Sequence, residues 1–169
     1  MIGAVEARTT ATRELHGAPV RIDPEFALFA DASLGEPLLV HDVAKQPSYW
    51  LVPVVLGGKV VGSIRISATG GVAAIASYCR DPGSLLRCPD VVTRISADEA
   101  ERRAASRLDV ASGEVASPPV YVHDGSPGRE AWLVETLALG RPARRIFVTA
   151  SRIYERPVDR EPGQNAESE

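Results

Sequence analysis

Residues 37–69 recur at 119–151 without a gap, a shift of 82 positions. Pro37 falls on Pro119, Val40-His41-Asp42 on Val122-His123-Asp124, and Trp50-Leu51-Val52 on Trp132-Leu133-Val134. Gly58 falls on Gly140, Ile64 on Ile146 and Ala68 on Ala150, completing ten identities in 33 aligned pairs. A chain that repeats its tryptophans and two of its three histidines must place both copies in similar surroundings. The duplication therefore predicts two tandem units of one design.

Within each copy the pattern is that of strands. Residues 49–56 are a long apolar run, and Gly57-Gly58 is a two-residue hairpin signal because both positions tolerate positive φ. Residues 59–67 then alternate, with Val60, Gly62, Ile64 and Ile66 on one face and Val61, Ser63, Arg65 and Ser67 on the other. Residues 72–78 read as a further strand. In the second copy, strands are expected over 120–123, 130–138 and 143–150.

Helix signals precede each copy. Asp23 as N-cap, Pro24 in the first turn and Glu25 at the positive end of the dipole predict a helix from residue 23. Ser96-Ala97-Asp98-Glu99 is a capping box, followed by a stripe of Ala100, Ala104 and Leu108. Asp98–Arg102 and Glu99–Arg103 are spaced as favourable i,i+4 pairs. A weaker helix, rich in threonine, is expected over residues 5–15. The predicted class is α+β, built as two helix-plus-antiparallel-sheet repeats. The expected divisions are a polar helical segment at 1–19, a first repeat at 20–80, a connecting loop at 81–94, a second repeat at 95–156 and a disordered tail at 157–169.

Composition excludes several classes. The net charge of -3 gives no global field for nucleic acid. No apolar run reaches the roughly 20 residues of a membrane span. The first fifteen residues lack the apolar core of a signal peptide, so the chain as written reads as cytoplasmic, or extracytoplasmic if a leader has been removed. Cys79 and Cys88 flank a turn at Asp81-Pro82-Gly83, and with the compartment open a disulfide and two free thiols are equally open.

Two stretches resemble PepSY-like modules. One is Ile95-Ser96-Ala97-Asp98-Glu99-Ala100-Glu101-Arg102-Arg103-Ala104 followed by Ala131-Trp132-Leu133-Val134. The other is Tyr49-Trp50-Leu51-Val52-Pro53-Val54-Val55 followed by Gly57-Gly58-Lys59-Val60-Val61-Gly62. Similar helix-on-sheet units occur in propeptides of secreted peptidases and in cystatin-like inhibitors. The resemblance covers about residues 20–156 and implies a helix packed on an antiparallel sheet that binds or restrains another protein, without catalytic residues. Those modules are mostly extracytoplasmic, which departs from the reading of the N-terminus. In the first copy alone, Gly35-Glu36-Pro37-Leu38-Leu39-Val40-His41-Asp42-Val43, with the strands that follow, is similar to GAF-type sensory domains. Residues 53–64 are similar to CBS motifs.

The expected function is a non-enzymatic protein- or peptide-binding module, one form of which restrains or assists a partner enzyme. A small-ligand sensor of GAF or CBS type is the alternative, and a small enzyme using His41 or His123 as acid and base is the third reading. The equivalent loops at 42–48 and 124–129 supply the expected contacts: His41, Asp42, Lys45, Tyr49, His123, Asp124 and Arg129. Adjacent His and Asp on a strand point to opposite faces, so neither pair grips one ion, and no metal or cofactor is expected. The reading assigns each Asp to backbone bonds in the turn that follows. Arg141, Arg144 and Arg145 read as a solvated strand edge.

Overall fold

The computed structural model describes residues 1–125 and 128–158. Three α-helices form: α1 Ala4–Leu15, α2 Ala18–Ile22 and α3 Ala97–Ala105. Ten strands follow in chain order: β1 Ser33–Leu34, β2 Leu38–His41, β3 Pro47–Leu56, β4 Lys59–Ser67, β5 Val72–Ser77, β6 Val115–Ala116, β7 Val120–His123, β8 Glu130–Ala138, β9 Arg141–Val148 and β10 Ile153–Pro157. The class is α+β with a mostly antiparallel sheet. β6, β7 and β9 begin 82 residues after β1, β2 and β4 (Ser33 to Val115, Leu38 to Val120, Lys59 to Arg141), whereas α3 begins 93 residues after α1 (Ala4 to Ala97). Of the tail expected to be disordered, residues 159–169 lie outside the described residues.

The chain divides into two compact units, Met1–Ser96 with Tyr121–Glu130, and Ala97–Val120 with the residues from Ala131 onward. In the first unit the strand order is β7-β2-β3-β4-β5, and β1 also pairs with β3. All these pairings are antiparallel except β2 with β7, which run parallel at His41 opposite Val122. The Gly57-Gly58 turn takes the expected left-handed conformation, with φ of 56° and 78°. A register shift at Val54/Val55 alters the alternation beyond it, so Val61 joins the apolar core.

The helix covering this sheet is α1. Ala7, Ala11 and Leu15, at i, i+4 and i+8, are buried against Val52, Val54, Ile64 and Ile66. The threonines that weaken its intrinsic propensity are accommodated: Thr9 and Thr12 donate their hydroxyls to Val5 and Arg8 carbonyls one turn back. The helix expected from residue 23 is instead a 3-10 turn, Pro24–Phe29. Asp23 does cap it, accepting from Glu25 N at 2.9 Å, but Phe26 leaves helical geometry (φ -105°, ψ 21°). That break places Leu28 and Phe29 in the core.

In the second unit the strand order is β10-β9-β8, with β6 on β8. Helix α3 buries Ala100 and Ala104 but ends at Ala105, before Leu108. Arg107 N bonds the Ala104 carbonyl and Ser106 Oγ bonds that of Arg103, tightening the last turn. Glu99 pairs with both Arg102 and Arg103, so Arg102 takes Glu99 at i,i+3 and not Asp98.

Of the arginines read as a solvated edge, Arg141 is exposed at the start of β9, whereas Arg144 and Arg145 are paired on both sides, because there β9 lies between β8 and β10. Arg145 pairs with Glu135 at 3.3 Å. Arg144 joins Glu114, Glu155 (2.7 Å) and the Arg107 carbonyl (2.8 Å). Glu114 is buried beside the fully buried Thr136, whose hydroxyl donates to it at 2.5 Å. The hydrogen bond from Arg144 pulls the Glu114 carboxyl down to about 2 despite its burial, with help from Thr136 and the Asp109 backbone.

Candidate functional site

Strand alternation gives the first unit's sheet a second, polar and aromatic face. Opposite the α1 side, β3 presents Tyr49, β4 presents Ser63 and Arg65, and β7 presents Tyr121 and His123. Three of the chain's four tyrosines share this neighbourhood, since Tyr78 follows β5 directly.

Glu130 is the hub. Its Oε1 accepts from the Tyr49 hydroxyl at 2.6 Å, from Arg65 Nη2 at 3.1 Å and from Gly128 N at 3.0 Å. Arg65 also lies over the Tyr49 ring, 4.8 Å from its centroid. The His123 ring stacks on Tyr49 with centroids 5.8 Å apart, and its Nε2 is 3.0 Å from Ser48 Oγ. At the other end the Tyr78 hydroxyl and Ser63 Oγ are 2.8 Å apart, and Arg94 lies over the Tyr78 ring at 5.7 Å.

All three tyrosines are held protonated. Burial is the main cause in each. For Tyr49 the Glu130 carboxylate adds to it, both as acceptor and as a nearby negative charge, and Arg65 offsets part of the rise. The Tyr49 hydroxyl donates to Glu130, while in the Tyr78–Ser63 pair either hydroxyl can be the donor.

The structure unites some of the residues expected to make contacts and separates others. Tyr49 and His123 meet in the cluster. His41 does not, because its partner across the parallel pair is Val122, and alternation puts His123 on the opposite face from His41. Asp42 organises its own loop, accepting from Ala44 N at 2.9 Å and Gln46 N at 2.8 Å. Lys45 sits in that loop with φ of 61°. Asp124 is buried, with Arg129 at 3.7 Å. In the loop that follows it, Ser126 and Pro127 lie outside the described residues. Cys79 and Cys88 are joined by a disulfide, S–S 2.00 Å. Arg65, Ser63, Tyr78, Arg94, Tyr121 and Glu130 are additional members. The polar face of residues 59–67 already marked Arg65 and Ser63, whereas nothing local marks Glu130 or Arg94.

Ser48 and His123 have the spacing of a nucleophile and base, but a working pair needs a third group to fix the ring. His123 Nδ1 is buried and bonds to no described residue. Among the described residues no carboxylate bonds to the ring to orient it. Among the described residues no three His, Cys, Asp or Glu side chains gather as metal ligands. No helix among them is long and apolar enough to cross a membrane.

The same unit ends in an open strand. Among the described residues β5 pairs with β4 alone. Tyr78 N bonds back to the Val61 carbonyl at 2.8 Å, so alternation turns the backbone groups of Ser77 and Ile75 away from β4. Val72, Ala73 and Ala76 are exposed.

A scan of known families gives no match to this chain, and neither curated proteins nor solved structures give a significant one.

Proposed function

We propose that this chain is a non-enzymatic binding module that takes up an extended segment of a protein partner as an added strand on β5. The supporting observation is the edge itself: Val72-Ala73-Ala74-Ile75-Ala76-Ser77 carries no charge and no proline. Outer strands are ordinarily guarded by such residues, because their unpaired N–H and C=O groups template further strands. Main-chain bonds then supply affinity, and alternate side chains supply selectivity. An uncharged edge suits an apolar segment. Restraint or assistance of a partner enzyme is the finer form of this proposal, and it rests on the PepSY-like resemblance.

Peptides selected from a random library on the immobilised protein test it. The expected winners are extended, alternating apolar sequences whose affinity falls by about tenfold or more in an Ala73→Lys/Ala76→Lys variant. Peptides that bind the double variant equally well contradict the proposal. So does self-association of the parent that the variant abolishes. The Cys79–Cys88 bridge supports an oxidising, extracytoplasmic setting over the cytoplasmic one. Intact mass of protein purified under thiol-blocking conditions checks this: unmodified cysteines are expected, and two blocked thiols would place the chain in a reducing compartment.

A further inference from the structure

The polar face of the first unit carries more donors than its own acceptors use. Arg65 commits Nη2 to Glu130, but its Nε is buried and bonds to no described residue. A buried donor left without an acceptor is unfavourable. Arg94 is held at φ 65°, a left-handed conformation that is costly for a side chain other than glycine. It is exposed, and among the described residues its guanidinium makes no hydrogen bond or ion pair, only its contact with the Tyr78 ring. The Tyr78–Ser63 pair adjoins both arginines: Arg94 lies over the Tyr78 ring, and Ser63 and Arg65 are two residues apart on one face of β4. Both guanidiniums are near enough to act on the Tyr78 hydroxyl.

We propose that Arg65 and Arg94 bind a carboxylate group over the Tyr78–Ser63 pair. Planar guanidiniums match a planar carboxylate and form charge-assisted bonds with it. The charge count favours a single negative charge: Arg65 and Arg94 less Glu130 leave +1. The Glu130 carboxylate opposes a phosphate dianion in the same place. The carboxylate comes either from a free small acid or from the end or side chain of a bound peptide. The proposal stands independently of strand addition on β5.

Titration of the full chain followed by NMR of the arginine Nε–H groups tests it, with propionate, N-acetyl-tetra-alanine and the C-terminal amide of that peptide as probes at constant ionic strength. A saturable shift of the Arg65 Nε–H is expected with propionate, identifying a free acid, or with the free-terminus peptide alone, identifying a partner's carboxylate. Arg94→Gln, an exposed change, is expected to weaken binding by about tenfold. Ala73→Lys/Ala76→Lys is expected to leave propionate binding intact, which separates this site from the β5 edge. No saturable shift with any probe, an equal response to the amide, or binding unaffected by Arg94→Gln overturns the proposal.

Discussion

Gly62→Ala is expected to destabilise the protein by about 3 kcal/mol, a large share of the stability of a domain this size. A β-carbon at Gly62 meets the Phe29 ring and the Ala76 carbonyl oxygen. The ring is fully buried and the carbonyl belongs to the neighbouring strand, so neither gives way cheaply. The packing of the 3-10 turn on β4 and the pairing of β4 with β5 thus depend on one absent methyl group. Urea unfolding measures the effect. Gly71→Ala is the control, since a β-carbon there has only Ser67 Oγ nearby, at 3.6 Å, and a change within about 0.5 kcal/mol is expected. Phe29→Leu in the Gly62→Ala background is expected to recover part of the loss, because the carbonyl contact persists.

Glu114→Gln is expected to cost about 3 kcal/mol at neutral pH. Removing one partner of a buried ion pair leaves the other uncompensated, and Arg144, one-third exposed, places the loss at the lower end of the usual range. The variant also changes the acid response. The folded-state value of Glu114 is depressed to about 2 from 4.5. A depressed carboxylate contributes its stability fully above the unfolded value, and that contribution is lost as pH falls towards the folded one. The parent is therefore expected to lose stability between about pH 4.5 and pH 2 through this group, and Glu114→Gln is expected to lack that component. Urea midpoints of both proteins at neutral pH and at pH 3 read it directly. Parallel pH dependence of the two would assign the acid sensitivity elsewhere.

The sequence carried the sheet better than the helices. The β3–β4 hairpin was legible because alternation, the Gly57-Gly58 turn and β-branched residues agree. Local signals misplaced the covering helix. The capping at Asp23 is real, yet Phe26 breaks the turn, while the Ala7, Ala11 and Leu15 stripe gains from burial what its threonines lose in propensity. Arg144 looked solvated because its acceptors, Glu114 and Glu155, are distant in sequence. The polar face shows the same limit. Tyr49 and His123 were legible as candidates from the equivalent loops they flank, and Arg65 from its place opposite the apolar side of β4. Glu130 reaches Tyr49 across 81 positions once β7 runs parallel to β2. No local pattern encodes that pairing.

Hydrogen exchange at the β5 edge tests the proposed mode of binding most directly. In the free protein, the outward amides of Ile75 and Ser77 are expected to exchange faster than those of Ala74 and Ala76, which face β4. With a selected peptide bound, Ile75 and Ser77 are expected to slow markedly. Unchanged exchange at these two amides, with protection appearing instead in the loops at 42–48 and 124–129, would contradict strand addition.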